Sequence, residues 1–213
     1  MAFLPVNIDF EGKKCIVIGG GKIALRKIGS LLRSGAFITV ISPDACDEIK
    51  NLAKENKLKW LGEPYEYGKL DEAFMVICAT DNPAVNAKAA REGKEKGALV
   101  LAADNSYPGD AAFLGLVQRG DLFIAVSTNG KSPGLARLLK EEISEMYGEE
   151  YGLFLEHIAS FRKHLKSIEP ESRKRELFWQ SVLTGEILTL LREGRSDAAE
   201  EKIKNAISSF GSK

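Results

Sequence analysis

Residues 14–25 constrain the fold of this chain more than any other part of its sequence. A β-branched run at 16–18 predicts a buried strand, three consecutive glycines predict a tight turn, and a helical pattern begins after them. Counted from Gly19, the spacing is G-x-G-x-x-A, in which Gly19 permits the turn, Gly21 lets a pyrophosphate approach the backbone, and Ala24 allows the helix to pack closely on the strand. The N-terminus of that helix would face an anion. The segment therefore predicts dinucleotide binding, with an ordinary strand-to-helix turn as the alternative.

Strand and helix patterns continue to alternate after this turn, which favours a parallel sheet with helices on both faces. Further strands are predicted at 37–41, 58–61, 74–79 and 98–103. Helices are predicted at 22–34, from shortly after Asp44 to about Asn56, and from Ala84 to about Lys96. We therefore expect an α/β fold, with a Rossmann-type, doubly wound parallel sheet over residues 1–112.

The pattern changes beyond residue 112. Two apolar runs, 113–117 and 122–126, flank Gln-Arg-Gly-Asp, which is typical of a β-hairpin. Ser132 is well placed as a helix N-cap and Pro133 as the first helical residue, so a helix is predicted up to about Tyr147. Because a hairpin and one helix are too small to bury their own apolar faces, we expect residues 113–148 to form a small α+β dimerisation region.

Residues 149–213 predict an all-helical C-terminal domain, which is strongly charged. Its helices should break near Pro170, Gly185 and Gly194. The only histidines of the chain, His157 and His164, lie in this part, and a lone histidine on a charged helix is usually structural or solvated.

The composition restricts the possible partners and location. Thirty basic and thirty acidic side chains cancel, so there is no global positive field that would attract nucleic acid or an anionic membrane. The longest apolar run, 73–79, is too short to span a bilayer, and the N-terminal segment with Pro5 and Asp9 is not typical of a signal peptide. Three cysteines without close spacing predict buried thiols, no metal site and a cytoplasmic location.

Polar residues follow the predicted strands, at the edge of the sheet where α/β proteins bind ligands. Asp44 either contacts the adenosine ribose or favours the start of the next helix. Since no arginine lies near that strand end, a 2′-phosphate has no obvious partner and NAD is favoured over NADP. Thr80 and Asp81 either line the cofactor crevice or cap the helix that follows. The predicted cofactor contacts are Gly19, Gly21, Lys22, Ile23, Pro43, Asp44, Thr80 and Asp81.

Several segments together are similar to one known family. They are Leu4-Pro5, Gly-Gly-Gly-Lys-Ile-Ala-Leu-Arg-Lys at 19–27, Ala-Thr-Asp-Asn-Pro at 79–83, the strand end at Asp104, and Ser-Thr-Asn-Gly-Lys-Ser-Pro-Gly-Leu-Ala-Arg at 127–137. These segments resemble the precorrin-2 dehydrogenases of sirohaem biosynthesis, which include bifunctional dehydrogenase/ferrochelatases and the N-terminal part of the fused sirohaem synthases. The resemblance extends over about residues 1–150 and is most specific at 127–137.

The resemblance implies NAD-dependent oxidation of precorrin-2 to sirohydrochlorin by a homodimer. It places the catalytic aspartate of the family on Asp104. A carboxylate at a strand end beside the crevice is a candidate general base, and an Asx-turn residue is the alternative. In the fused synthases, a serine that can be phosphorylated falls on Thr128 of this sequence.

A tetrapyrrole fringed with carboxylates needs several basic donors beside an apolar slot. Lys22, Arg26, Lys131 and Arg137 are the candidates, and for each of them a solvated helix charge is the alternative. Lys131 and Arg137 are favoured because of their proximity to the two conspicuous loops, at Asp104 and Thr128. The predicted substrate contacts are Thr128, Asn129, Lys131 and Arg137.

Two other functions stay open at the level of the sequence. The same protein could insert iron into sirohydrochlorin, and chelation would then have to rely on carboxylates such as Asp104, because the sequence has no His/Cys metal cluster. A non-catalytic NAD-sensing domain is the other alternative. Such a domain would be expected to end its second strand in a ribose-binding acid and would not need the segment at 127–137.

Overall fold

The computed structural model of the protein describes residues 3–102 and 109–210. The chain divides into two compact units, Met1–Phe113 and Leu114–Lys213. The division that we predict at residue 148, between a dimerisation region and a helical domain, lies inside the second unit and stays a prediction.

The first unit alternates strands and helices, as its sequence pattern predicts. The elements are β1 (Lys14–Ile18), α1 (Lys22–Arg33), β2 (Phe37–Ile41), α2 (Asp47–Lys54), β3 (Lys59–Leu61), β4 (Met75–Cys78), α3 (Pro83–Glu95) and β5 (Leu99–Ala102). Among the described residues, these strands form one five-stranded sheet in the order β3-β2-β1-β4-β5, with every neighbouring pair parallel. The predicted Rossmann-type, doubly wound fold is confirmed.

Alternating side chains of the central strands pack against helices on both faces of the sheet, as the period of two in a strand requires. Val17, Val40 and Ile77 share a core with Ile28 of α1 and Ile49 of α2. On the other face, Ile16, Ile18, Val76 and Val100 pack with Ala89 and Ala90 of α3. Burial on both faces explains why β1 and β4 are apolar without interruption.

The order of the strands fixes where a ligand can bind. The chain builds β2 and β3 on one side of β1 and then places β4 and β5 on the other side. The connections after β1 and β4 therefore leave the sheet in opposite directions, and a crevice opens outside the carboxyl ends of these two strands.

The second unit contains a hairpin followed by helices. Its elements are β6 (Gly115–Arg119), β7 (Leu122–Val126), α4 (Pro133–Met146), α5 (Glu149–Ile168), α6 (Ser172–Val182), α7 (Gly185–Arg192) and α8 (Ser196–Phe210). The strands β6 and β7 are antiparallel, with Val117 opposite Ile124. The predicted hairpin and helical tail, with breaks near Pro170, Gly185 and Gly194, are confirmed.

The helices α5 to α8 build their own apolar core, which includes Phe154, Leu165, Phe178, Ile187 and Ile203. The predicted start of the hairpin at residue 113 was wrong, since β6 begins at Gly115. Phe113 instead packs against the core of the first unit, where the Nζ atom of Lys27 lies 4.9 Å from the centre of its ring. Its aromatic side chain gains more by this burial than by pairing in an exposed two-stranded sheet.

Candidate functional site

The glycine turn after β1 can be formed only by glycine at its first position. Gly19 has φ of +112°, and a Cβ atom there would lie 2.4 Å from the carbonyl oxygen of Ala79. The turn is held by the N–H of Gly19, which donates to the carbonyl of Ile41 at 3.0 Å. Gly19 thus lets the turn lie directly against the backbone that follows β4, at the crevice.

The second glycine of the turn is also required, although the G-x-G-x-x-A pattern treats it as any residue. A Cβ atom at Gly20 would lie 2.3 Å from the carbonyl oxygen of Asp44 and 2.7 Å from the Cα atom of Ala45. The carbonyl of Gly20 accepts a hydrogen bond from the N–H of Cys46 at 2.9 Å. Gly20 therefore lets the loop after β2 approach the turn after β1. Three consecutive glycines are the only trace of this requirement in the sequence.

The third glycine occupies the N-cap position of α1 with φ of −85°. A Cβ atom at Gly21 would meet no heavy atom of the described residues within 4 Å. Glycine has no side chain that could cap the first N–H groups of α1, so these groups and the helix dipole face the open space in front of Gly21. Next to it, Lys22 is exposed and Ile23 has 49% of its surface exposed. The arrangement fits a pyrophosphate, as the sequence predicts.

Asp44 lies at the carboxyl end of β2, beside the exposed Pro43, and is engaged by a lysine. Its Oδ1 atom accepts from the Nζ atom of Lys50 at 2.8 Å and from the N–H of Ala45 at 2.8 Å. The hydrogen bond from Lys50 lowers the pKa of Asp44 below its usual range, and the hydrogen bond from Ala45 adds a smaller effect in the same direction. Asp44 does not cap α2, because Cys46 occupies the N-cap position.

Lys50 is a residue of this edge that the sequence pattern did not indicate. It lies one turn inside α2, and its Nζ atom is 5.7 Å from the centre of the Trp60 ring. The indole N–H of Trp60 in turn donates to the carbonyl of Ser42 at 3.0 Å. Only the folding of α2 back over the strand end brings this cation to Asp44.

The loop between β4 and α3 is the other wall of the crevice, and it is built around three polar side chains. Asn82 is the N-cap of α3, and its side chain accepts from the N–H groups of Ala84 and Val85. The alternative in which Thr80 or Asp81 caps this helix was therefore wrong. Thr80 is hydrogen-bonded to Asn86, which is fully buried, whereas Asp81 is exposed.

The predicted catalytic residue, Asp104, lies outside the described residues. The strand that precedes it, β5, ends at Ala102, which is opposite Cys78 at the carboxyl end of β4. The assignment of Asp104 stays a prediction.

In the second unit, the predicted substrate residues Thr128, Asn129 and Lys131 lie in one loop before α4. The N–H of Lys131 donates to the carbonyl of Thr128 at 3.0 Å. Asn129 and Gly130 both have positive φ, which is the requirement of a type I′ turn. The hydroxyl of Thr128 is used inside the loop, because it donates to the carbonyl of Ser132 at 3.0 Å and accepts from its N–H at 3.2 Å.

The helix that follows this loop begins as predicted. Ser132 is the N-cap, its hydroxyl accepts from the N–H of Leu135 at 3.2 Å, and Pro133 is the first helical residue. Arg137 lies on the exposed side of α4, where its Nε atom donates to Glu141 at 2.8 Å. This contact, which is one turn along the helix, raises the pKa of Arg137. The structure thus brings Thr128, Asn129 and Lys131 together and places Arg137 beyond them in α4.

The predicted buried thiols are found at two of the three cysteines, Cys15 in β1 and Cys78 in β4. Burial raises the pKa of Cys15 to about 11. Residues 3–102 and 109–210 contain no group of three or more His, Cys, Asp or Glu side chains arranged to hold a metal ion. No helix in the described part of the chain is long and apolar enough to cross a membrane.

Comparison with known families assigns almost the whole chain to three consecutive regions. Residues 6–114 match a family described as putative NAD(P)-binding. Residues 119–146 match the sirohaem biosynthesis protein central region, and residues 150–207 match the sirohaem synthase dimerisation region. The match to a dimerisation region thus lies in the helical part after residue 149, and not at 113–148, where we predict the dimerisation region.

Individual proteins give the same result. Siroheme synthase 1 from Serratia proteamaculans (strain 568) is 30% identical over 210 residues, which are 99% of this chain and 44% of that protein. The siroheme synthase of Nitrosospira multiformis (strain ATCC 25196) is 34% identical over 206 residues, which are 94% of this chain and 43% of that protein. The chain therefore spans less than half the length of these relatives.

Among solved structures, a protein described as SirC, precorrin-2 dehydrogenase, has the same fold. The TM-score is 0.78, the sequences are 25% identical, and the match covers 95% of this chain and all of that chain. The likeness extends over both units, including the helices after residue 150 where the sequence resemblance was loose.

Proposed function

The chain belongs to the precorrin-2 dehydrogenase family of sirohaem biosynthesis, and we propose that it oxidises precorrin-2 to sirohydrochlorin with NAD as the hydride acceptor. The observation that carries this proposal is the likeness to a precorrin-2 dehydrogenase over 95% of the chain and over the whole of that protein. The glycine turn before α1 adds a local reason, because its shape fits the pyrophosphate of a dinucleotide.

The reaction removes two hydrogens from the macrocycle. When bound, NAD supplies the chemistry of accepting one of them as a hydride. The protein has to hold the cofactor against the substrate and to accept the remaining proton. Gly21, Lys22 and Ile23 are the residues that would hold the pyrophosphate end, at the open N-terminus of α1.

Asp104 is the residue that we assign to proton removal. In the sequence it comes shortly after Ala102, the last residue of β5, and the carboxyl end of β5 lies at the same edge of the sheet as those of β1 and β4. A carboxylate would need a pKa raised toward neutrality to act efficiently as a base. Replacement of Asp104 by Asn should abolish turnover and leave NAD binding unchanged, since the variant keeps the shape of the side chain.

Asp44 is the residue that favours NAD over NADP. The carboxylate sits at the end of β2, where a Rossmann domain binds the ribose, and a 2′-phosphate would be repelled by it. Lys50 neutralises part of this charge, so discrimination against NADP should be smaller than with an unpaired acid. Pro43, Thr80 and Asp81 complete the proposed cofactor contacts.

The substrate carries carboxylates around an apolar ring. Lys131 is exposed in the turn before α4, and Asn129 presents its side chain from the same turn, so both can contact a carboxylate. Arg137 would have to exchange Glu141 for the substrate. Thr128 shapes the loop through Ser132, so its proposed contact with the substrate competes with these internal hydrogen bonds.

A homodimer in the cytoplasm is the form in which we expect the protein to act. The match to a dimerisation region supports association of two copies. Apolar side chains are also exposed on the hairpin and on α4, outside the matched region: Leu116, Phe123, Leu135, Leu138 and Met146 are each between 39% and 60% exposed. A second copy that covered these side chains would remove them from water.

Insertion of iron into the product is a second candidate activity. The curated relatives are named siroheme synthases, and sirohaem contains iron. Anaerobic incubation of the protein with sirohydrochlorin and ferrous or cobalt ion, without NAD, tests this activity by the absorbance of the metallated ring.

The dehydrogenase is tested separately, by adding precorrin-2 and NAD without metal and following the absorbance of NADH. A sensor domain would bind NAD and leave it unreduced.

A further inference from the structure

The fully buried side chain of Asn86 is joined to both backbone groups of a single residue at the crevice. Its Oδ1 atom accepts from the N–H of Thr80 at 3.1 Å, and its Nδ2 group donates to the carbonyl of Thr80 at 3.0 Å. The hydroxyl of Thr80 also donates to Oδ1, at 2.7 Å. The side-chain amide of Asn86 thus pairs with the N–H and the carbonyl of Thr80, as the backbone of a neighbouring strand would, and these hydrogen bonds fix the backbone conformation of Thr80.

The loop that carries Thr80 depends on this pairing for its position. Thr80 also accepts from the N–H of Asn82 through its hydroxyl, at 3.2 Å, and Asn82 in turn caps α3. Asn86 lies one turn inside α3, so it connects the rigid helix to the loop that begins it. On the other side, the peptide that joins Ala79 to Thr80 lies against Gly19, since a Cβ atom on that glycine would be 2.4 Å from the carbonyl oxygen of Ala79.

These contacts place the chain after β4 as one wall of the crevice, and the glycine turn as the facing wall. The space between the walls is where the cofactor would lie, because the strand order reverses between β1 and β4. We infer that Asn86 is a positioning residue for the cofactor: it holds the Ala79–Thr80 peptide at the distance from the glycine turn that the dinucleotide needs. This inference rests on the proposed cofactor, on which Asn86 would act through Thr80.

Asparagine is the side chain that this position requires. Aspartate keeps the acceptor for the N–H of Thr80 and replaces the donor with a second oxygen, which would face the carbonyl of Thr80 at about hydrogen-bond distance. Leucine has a similar size and leaves the N–H and the carbonyl of Thr80 without these partners in a partly buried place. In contrast, the side chain of Asn82 only accepts, from Ala84 and Val85, so aspartate can replace it without losing either hydrogen bond.

The matched pair Asn86→Asp and Asn82→Asp therefore makes the same substitution at two positions four residues apart in one loop and helix. The dissociation constant of NAD is measured for both variants and the wild type by titration calorimetry, and unfolding is followed by circular dichroism. Loss of one buried donor predicts a dissociation constant about tenfold or more higher for Asn86→Asp than for Asn82→Asp. With precorrin-2 as substrate, the KM for NAD should rise by the same factor, and kcat at saturating NAD should stay close to that of Asn82→Asp.

A merely structural role predicts another pattern, in which Asn86→Asp lowers the unfolding temperature and kcat, and the folded fraction binds NAD as tightly as Asn82→Asp does. That result would overturn the inference.

If Asn86→Asp does not fold, Asn86→Ala replaces it, because water can enter the vacated polar space and satisfy Thr80 without fixing it. Equal NAD affinity of Asn86→Ala and wild type would overturn the inference as well. Failure of the wild type to bind NAD would refute the proposed cofactor, whereas NAD binding without oxidation of precorrin-2 would refute only the proposed reaction.

Discussion

Replacement by alanine should lower the stability of the protein at Gly20 and its affinity for NAD at Gly21. At Gly20, a methyl group would lie 2.3 Å from the carbonyl oxygen of Asp44 and 2.7 Å from the Cα atom of Ala45, and both of these atoms belong to the backbone. To restore the ~3.5 Å separation of non-bonded atoms, the loop after β2 has to move by about 1 Å. At Gly21, a methyl group would meet no described atom within 4 Å, and φ of −85° suits any residue.

The expected stabilities follow from these distances. Overpacking at Gly20, together with the weakened hydrogen bond from Cys46, should cost about 2–4 kcal/mol and lower Tm by about 10 °C. The Gly21→Ala variant should stay within about 1 kcal/mol of the wild type, because the lost N-cap preference and the reduced entropy of the unfolded chain nearly cancel.

NAD affinity should respond at Gly21, where stability does not. The methyl group of Gly21→Ala would occupy the space assigned to the pyrophosphate, so the dissociation constant of NAD should rise about tenfold or more with little change in Tm. Thermal unfolding followed by circular dichroism and calorimetric titration with NAD measure the two effects on the same samples. Wild-type NAD affinity in Gly21→Ala would refute the assignment of this space, and an unchanged Tm in Gly20→Ala would refute the packing argument.

Three further perturbations test the remaining assignments. Asp44→Asn should lower the preference for NAD over NADP, since Lys50 is then free to attract a 2′-phosphate. The ratio of the dissociation constants of NAD and NADP measures this preference. An unchanged ratio would show that Asp44 does not belong to the ribose site. Because the pKa of Asp44 is held below its usual range, Asp44 should stay ionised at mildly acidic pH, and the dissociation constant of NAD should not change through this carboxylate. Lys131→Glu should raise the KM for precorrin-2 and leave the KM for NAD unchanged, and an equal rise in both constants would contradict a contact with substrate. Leu138→Lys places a charge among the exposed apolar side chains of α4 and should shift sedimentation toward the monomer. A dimer of unaltered stability would place the interface elsewhere.

Local patterns in the sequence predicted much of the first unit. The β-branched runs of β1 and β2, the helix of α1 ended by Gly35, and the order of alternating elements all follow from residues close together in the chain. The start of α4 at Ser132 and Pro133 was predicted for the same reason, because capping depends on neighbouring residues.

Features that depend on distant residues were not predicted. Gly20 is needed because a loop more than twenty residues later passes beside it, and no local pattern distinguishes it from a variable position. Asn86 was not recognised because an asparagine inside a helix pattern gives no sign that it is buried against Thr80. Lys50 approaches Asp44 only after α2 has folded back over β2.

The N-cap of α3 is a local feature for which one of the two alternatives, capping by Thr80 or Asp81, was wrong. Thr80, Asp81 and Asn82 are all good N-cap residues. Proline is favoured at the first helical position, which comes directly after the N-cap. Because Pro83 directly follows Asn82, the local order favours Asn82, which is the N-cap in the structure, whereas Thr80 and Asp81 follow the end of β4. Thr80 keeps its place at the crevice through Asn86 instead.

We propose that this protein transfers hydride from precorrin-2 to NAD. Purified protein is mixed anaerobically with precorrin-2 and excess NAD in the absence of metal ions, and the absorbances of NADH and of sirohydrochlorin are recorded together. We predict that both products form in equimolar amounts, at a rate proportional to protein concentration and lost in Asp104→Asn. Sirohydrochlorin formed without NADH, or NAD bound and left unreduced beside unchanged precorrin-2, would contradict the claim.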